Sequence, residues 1–296
     1  MSLQWVRGSD GARLRVASFE PAPVAGVRQA SAAGTALLLH GRTEFLEKYT
    51  HVIAELRTRG FRVVSLDWPG QGLSDHPLDD WEAGHIDTFD RYIDAVRVCL
   101  AATGPHRSLV ALSHSMGGVV LLEAALRRLD DFKALAFSAP MWGIRAPAGA
   151  GLLAMFRRAR GAGQQRFRPQ DPPETFAINP VTTFKPQWSR VRALWAAEAD
   201  LKLGPPTWGW IAAAYEAMNA ASRAKRLRAL TAPCLIATAG KESIVSNAAQ
   251  NRAASLLPNA KQVLFPAAKH EILMEQPAFQ AQFWDEFDAL LTRAGV

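Results

Sequence analysis

Apolar residues recur along this chain in two rhythms. Alternation over Ala12 to Phe19 predicts a half-buried strand, with Leu3 to Arg7 as its antiparallel partner. Thr35 to His40 (TALLLH) is nearly all apolar, as expected of a strand buried on both faces. Phe61 to Trp68, Leu109 to Leu112, Ala134 to Phe137, Leu235 to Ala239 and Gln262 to Phe265 continue the strand series. Helical periodicity occupies Phe45 to Arg59, which stops at Gly60, and Phe89 to Thr103, which ends at Gly104-Pro105. It returns in Met116 to Leu129, Ala248 to Leu256 and Phe279 to Leu291. Strands alternating with helices require right-handed crossovers, so the pattern predicts an α/β fold with a mainly parallel eight-stranded sheet. Ala22 to Ala33, rich in Ala, Gly and Pro, reads as a loop.

The alternation breaks once. From about Met141 to Arg228 no buried strand is predicted. A Gly/Ala/Arg-rich run (Ala146 to Gln165) and a Pro-rich run (Pro169 to Pro186) are joined by two amphipathic helical runs, Trp188 to Ala199 and Thr207 to Ala221. Five of the nine tryptophans fall here: Trp142, Trp188, Trp195, Trp208 and Trp210. An insertion after a sheet strand reads as a lid over the C-terminal edge, where open α/β sheets bind ligands. The expected organisation is a core of residues 1–140 and 229–296 with a helical cap over 141–228. Aromatic residues at helical spacing are more often packing than contacts, so no single tryptophan is assigned to a site.

Composition narrows the class. The chain has 296 residues, 49% hydrophobic and 21% charged, enough for a sizeable core. No apolar run approaches the roughly 18–20 residues that span a bilayer. Met1 to Trp5 lacks a basic segment followed by an apolar one, so a cytoplasmic location is expected. Cys99 and Cys234 are then expected to be buried thiols, and no Cys/His cluster has metal-ligand spacing, so no metal site is expected. The net charge of +7 is concentrated: residues 141–232 hold 14 Lys/Arg against 5 Asp/Glu. That is a solvated basic face, or one that meets an anionic substrate or surface.

The chemistry centres on Leu112-Ser113-His114-Ser115-Met116-Gly117-Gly118, between a strand and a helix. A serine on so tight a turn is exposed above the sheet as a nucleophile, provided that small residues flank it two positions away. Ser113 and Gly117 stand there, with serine replacing the first glycine of the usual G-x-S-x-G pattern. Leu39-His40-Gly41-Arg42-Thr43-Glu44 follows the third strand. Its Arg42 backbone N–H, not its guanidinium, would join that of Met116 in an oxyanion hole. His40 reads as a brace for the loop. Lys269-His270-Glu271 follows the last strand, where His270 can reach the turn as general base. Glu242 is the only acid in the loop Gly240 to Val245 after the strand Leu235 to Ala239 and would orient His270. The glycine-rich Asp67 to Asp75 lacks the Lys-Ser/Thr of a phosphate-binding loop and reads as a structural turn.

With these segments in view, the chain resembles the serine α/β-hydrolases of the lysophospholipase L2 and monoacylglycerol lipase type, among the serine aminopeptidase S33-type hydrolases. The resemblance is carried by LLLHGRTEFLEKY (Leu37 to Tyr49), DWPGQGLSDHP (Asp67 to Pro77), SHSMGG (Ser113 to Gly118), AGKESIV (Ala239 to Val245) and KHEILME (Lys269 to Glu275). HGRTE and HEIL point to the lysophospholipase L2 branch. The resemblance implies an α/β-hydrolase fold and cofactor-free hydrolysis of a lipid-like carboxylic ester beneath a cap. It implies Ser115, Glu242 and His270 as nucleophile, acid and base, with Arg42 and Met116 as oxyanion donors. The departures are Ser113 for glycine and Lys241-Glu242 where an aspartate is common. A lysophospholipid suits the basic, Trp-rich cap, as does peripheral contact with an anionic membrane. A monoacylglycerol or small ester, or a non-catalytic binding protein on the same scaffold, remains open. A nucleic-acid partner is not expected.

Overall fold

The hydrophobic alternation folds into one eight-stranded sheet. The computed structural model describes residues 1–23, 33–171 and 175–296. The strands are β1 (Ser2–Arg7), β2 (Arg13–Phe19), β3 (Gly34–Leu39), β4 (Phe61–Leu66), β5 (Leu109–His114), β6 (Ala134–Ser138), β7 (Cys234–Ala239) and β8 (Ala260–Phe265). Their order is β1-β2-β4-β3-β5-β6-β7-β8. The β1–β2 and β2–β4 pairs are antiparallel, and all pairs from β4 to β8 are parallel. This is the α/β-hydrolase arrangement. The loop expected over Ala22 to Ala33 lies largely outside the described residues.

Every residue of β3 is buried, because helices cover both faces. Leu37 and Leu39 point into a core layer shared with α2 (Asp90–Thr103) and α3 (Met116–Leu126). Ala36 and Leu38 point into the opposite layer, filled from α1 (Thr50–Thr58) and from Phe283, Trp284 and Phe287 of the C-terminal helix. The two-residue period of the strand thus divides one apolar run between two cores. Phe45 to Arg59 is not a single helix: Leu46–Tyr49 forms a 3₁₀ turn before α1 begins. Both thiols are free, and burial pushes Cys99 and Cys234 up to about 12, which leaves them protonated and unreactive.

Between β6 and β7 the chain forms α4 (Ala150–Arg157), α5 (Lys185–Ala197), α6 (Trp208–Ala221) and α7 (Ala224–Arg228). The last two helices of the core are α8 (Asn247–Leu256) and α9 (Pro277–Ala294). The sequence reading anticipated α5 and α6 but left α4 as a glycine-rich run and did not foresee α7. The glycines of that run delimit a helix instead. Gly149 and Gly161 have positive φ on either side of α4. Gly151 packs flat on Tyr215, where a Cβ would lie 2.8 Å from the ring. Helix α4 therefore packs on α6 through a bare backbone. Among the described residues no helix is long and apolar enough to cross a membrane.

Candidate active site

Four loops at the C-terminal ends of β3, β5, β7 and β8 converge above the sheet. The turn after β5 puts Ser115 at φ 50° and ψ −116°, a conformation that L residues rarely adopt. Such a backbone costs about 1–3 kcal/mol and persists only where its surroundings enforce it. Here the Ser115 N–H donates to the Ser138 carbonyl at 3.1 Å, and the Ser115 carbonyl accepts from the Met141 N–H at 2.9 Å. Close approach does the rest. A Cβ on Gly117 would lie 2.3 Å from the Leu39 carbonyl oxygen. Ser113 fits in place of glycine because its Oγ is absorbed by a hydrogen bond to the Ala136 carbonyl at 3.3 Å.

The Ser115 Oγ lies 2.9 Å from His270 Nε2, and His270 Nδ1 lies 2.7 Å from Glu242 Oε2. With Nδ1 as the donor to the carboxylate, Nε2 is left to accept the serine proton. The other oxygen of Glu242 accepts the Ile244 and Val245 N–H groups at 2.7 and 3.2 Å. Burial works against ionisation of Glu242, but the His270 hydrogen bond and these two donors hold its carboxyl below the ordinary glutamate value. The three side chains expected from the sequence thus form one continuous hydrogen-bonded chain.

The loop after β3 stands opposite His270. Its Gly41 N–H donates to Glu44 and its Thr43 N–H to Gln71 Oε1 at 2.7 Å. Among the described residues the N–H groups of Arg42 and Met116 donate to no protein acceptor, which suits two donors aimed at a developing oxyanion. Gln71 belongs to the glycine-rich turn after β4, which braces the site. In that turn the Asp67 carboxylate accepts from the Leu46 and Leu73 N–H groups and from Arg15. His40 is enclosed, 3.6 Å from Asp67, and its carbonyl accepts the Trp68 indole N–H.

Above Ser115 and His270 opens a cavity of about 450 Å³, lined mostly by apolar residues including Met141, Ile144, Leu153, Trp210, Ile211 and Tyr215. Trp208 and Trp210 line it, whereas Trp142 is core and donates to the Gly118 carbonyl. The insertion thus supplies much of the wall.

The sequence reading passed over a second set of charges. Lys48 Nζ is enclosed between Glu44 Oε1 at 2.7 Å and Glu271 Oε1 at 2.6 Å, and Tyr49 donates to Glu44 at 2.8 Å. One ammonium therefore bridges the Arg42 loop and the His270 loop. Burial opposes the charge on Glu44, but Lys48, with His114 and His40, holds it down to about 2. Burial, reinforced by Glu44, pushes the Glu271 carboxyl up despite Lys48. Glu44 and Lys48 stand four apart, which in sequence looks like an ordinary surface pair. Removing one partner of a buried pair leaves uncompensated charge. Lys48→Met is expected to lower unfolding free energy by about 3–5 kcal/mol, read from the urea midpoint. A midpoint within experimental error of the parent would show the three groups to be solvated.

His114, next to Ser115, is held down to about 3 by burial and stays neutral. Its Nδ1 donates to the Ser138 carbonyl at 3.0 Å, and its ring centre lies 4.8 Å from that of His270. A neutral neighbour does not oppose a positive charge on His270. The His270 loop is also fastened to the insertion. The Glu271 N–H donates to the Val181 carbonyl at 2.8 Å and Lys269 Nζ to the Asn179 carbonyl at 2.6 Å. The enclosed Glu275 carboxylate accepts the N–H groups of both Lys269 and Thr183, each at 2.9 Å.

Residues 30–277 match the family described as serine aminopeptidase, S33. Lysophospholipase L2 of Escherichia coli K12 is 29% identical over 262 residues, covering 81% of this chain and 75% of that protein. The probable lysophospholipase L2 of Haemophilus influenzae is 25% identical over 248 residues, covering 81% and 78%. A soluble variant of monoglyceride lipase from Saccharomyces cerevisiae, solved with a substrate analogue, superposes with a TM-score of 0.77 at 16% identity, covering 99% of this chain and 96% of that one.

Proposed function

From the premise that the chain belongs to the serine aminopeptidase S33 family of hydrolases, we propose that it hydrolyses carboxylic esters of lipid-like substrates, lysophospholipids first among them. The observation that carries this reading is the unbroken Ser115–His270–Glu242 hydrogen-bonded chain on the floor of an apolar cavity. Ser115 Oγ attacks the ester carbonyl as its proton passes to His270 Nε2, and Glu242 stabilises the imidazolium through Nδ1–H. The Arg42 and Met116 N–H groups hold the oxyanion. His270 then protonates the leaving alcohol, and water, activated by the same imidazole, cleaves the acyl-serine. Residues 141–228 act as the cap that shapes the acyl site.

Two observations favour a lysophospholipid. Two relatives matched over 81% of this chain are called lysophospholipase L2 and probable lysophospholipase L2. The excess of Lys/Arg over Asp/Glu in residues 141–232 suits a phosphate head group. The same segment suits docking on an anionic membrane. In α4, Leu152 and Phe156 are 74% and 55% exposed, and Arg157, Arg158 and Arg160 follow them. Exposed apolar side chains beside basic ones are the composition of an interfacial helix.

A lipid-class panel tests the reading: lysophosphatidylcholine, monoacylglycerol of the same chain length, and nitrophenyl esters of increasing length, each with the parent and Ser115→Ala. Serine-dependent turnover confined to short nitrophenyl esters would replace it with a small-ester hydrolase. Reversing Arg157, Arg158 and Arg160 to glutamate is expected to reduce turnover on anionic lysophospholipid vesicles far more than on dissolved short esters. Equal turnover on vesicles would remove membrane docking from the account.

A further inference from the structure

Arg42 was assigned a role through its backbone alone, yet its side chain is unusual among the cations of this protein. Arg42 is one of the residues lining the cavity that holds Ser115 and His270, as is Trp210, against which its guanidinium lies. Nη2 donates to the Gly204 carbonyl, and the guanidinium carbon lies 5.3 Å from the centre of the Trp210 ring. Gly84 lies flat against it, where a Cβ would come 2.5 Å from Nη2. The guanidinium is thus held by the insertion on one side and by the core on the other.

No carboxylate pairs with it among the described residues. By contrast, the enclosed Arg15 meets both Asp67 and Glu47. The Nε of Arg42 is buried without any hydrogen-bond partner. Asp171 and Arg168 act on it with opposite sign and pair with one another. Burial pulls the guanidinium down to about 10, the mark of a cation short of negative charge. An uncompensated buried cation is a net cost to folding, and one on a substrate cavity gains its counter-charge when an anion binds.

We propose that the Arg42 guanidinium binds the phosphate of the substrate's leaving alcohol while the Arg42 backbone N–H holds the ester oxyanion. The inference rests on the lysophospholipid reading. A glycerol spacer separates the ester carbonyl of a lysophospholipid from its phosphate by about the length of an arginine side chain. One residue can therefore hold the reacting carbonyl through its backbone and the phosphate of the leaving alcohol through its side chain. The fork of a guanidinium matches two phosphate oxygens, which an ammonium cannot do. The rest of the lining is mostly apolar and takes the acyl chain, with Glu44 and Glu271 its only carboxylates among the described residues, so the anion belongs on the Arg42 side, with the alcohol.

The test compares kcat/KM on lysophosphatidylcholine with kcat/KM on monoacylglycerol of the same acyl chain. Both are measured in the parent, Arg42→Met and Arg42→Lys, all of which keep the backbone N–H. The ratio is expected to fall about ten- to a hundredfold in Arg42→Met, with Arg42→Lys between. Gly84→Ala, which displaces the guanidinium without replacing it, moves the ratio in the same direction. As a readout independent of lipid turnover, glycerophosphocholine is expected to inhibit nitrophenyl ester hydrolysis competitively, with inhibition weakened in Arg42→Met. Equal losses on both lipids in every variant, with inhibition unchanged, would overturn the proposal and leave Arg42 a backbone donor only. A parent enzyme that turns over neither lipid would instead defeat the underlying reading of function.

Discussion

Ser115→Ala is expected to lower kcat by about 10⁶ on any ester the parent cleaves and to abolish covalent labelling by a fluorophosphonate probe. The size follows from the geometry. Ser115 Oγ is the atom 2.9 Å from His270 Nε2, and its removal deprives the imidazole of the proton it is placed to take. The donors at Arg42 and Met116 stay in position, so a residual acceleration of about 10³–10⁴ over water persists, as in other triads. KM changes little, because the cavity wall is untouched. The backbone at Ser115 is held by Ser138 and Met141 and not by the hydroxyl, so the variant keeps its fold. Its melting curve should overlay that of the parent. Residual kcat within tenfold of the parent would mean that another group attacks the ester.

Glu242→Gln is the second large effect, with kcat expected to fall by about 10⁴. The direction can be derived atom by atom. Oε1 of Glu242 accepts two backbone N–H groups, so an amide at this position keeps its carbonyl oxygen there. Its NH₂ must then face His270 Nδ1. The imidazole can accept that hydrogen bond only as the other tautomer, with the proton on Nε2, and Nε2 can no longer take a proton from Ser115. Glu242→Asp keeps the charge but shortens the reach, and should lose less. A Glu242→Gln enzyme within tenfold of the parent would show that His270 is oriented by something other than this carboxylate.

Much of the candidate site was legible because each of its side chains stands just past a strand end. Elements that alternate in sequence also stack in a fixed order, so His114-Ser115, Gly41-Arg42, Glu242 and His270 had to meet at one edge. The charge bridge through Lys48 was not legible. Glu44 and Lys48 have the spacing of a solvated helix pair, and Glu271 is 223 positions from Lys48. Only the folded sheet closes that distance. Helix α4 was missed for a different reason. Gly149, Gly151 and Gly161 fell in a run read only as Gly/Ala/Arg-rich, whereas Gly149 precedes the helix, Gly151 admits Tyr215 and Gly161 breaks the turn that follows. The guanidinium of Arg42 was missed because the absence of a partner is a property of space and leaves no mark on a motif.

The fastening of Asn179–Thr183 to the His270 loop bears on protein engineering. Exchanging the insertion with that of a relative is the obvious route to a new acyl preference, and residues 141–228 are the obvious piece to move. The graft would sever the contacts of Val181 with Glu271, of Asn179 with Lys269 and of Thr183 with Glu275. His270 would then lose that support even though neither it nor Ser115 nor Glu242 had been altered. A workable chimaera carries the 269–276 loop from the same donor as its insertion, so the heritable unit of specificity is split along the chain.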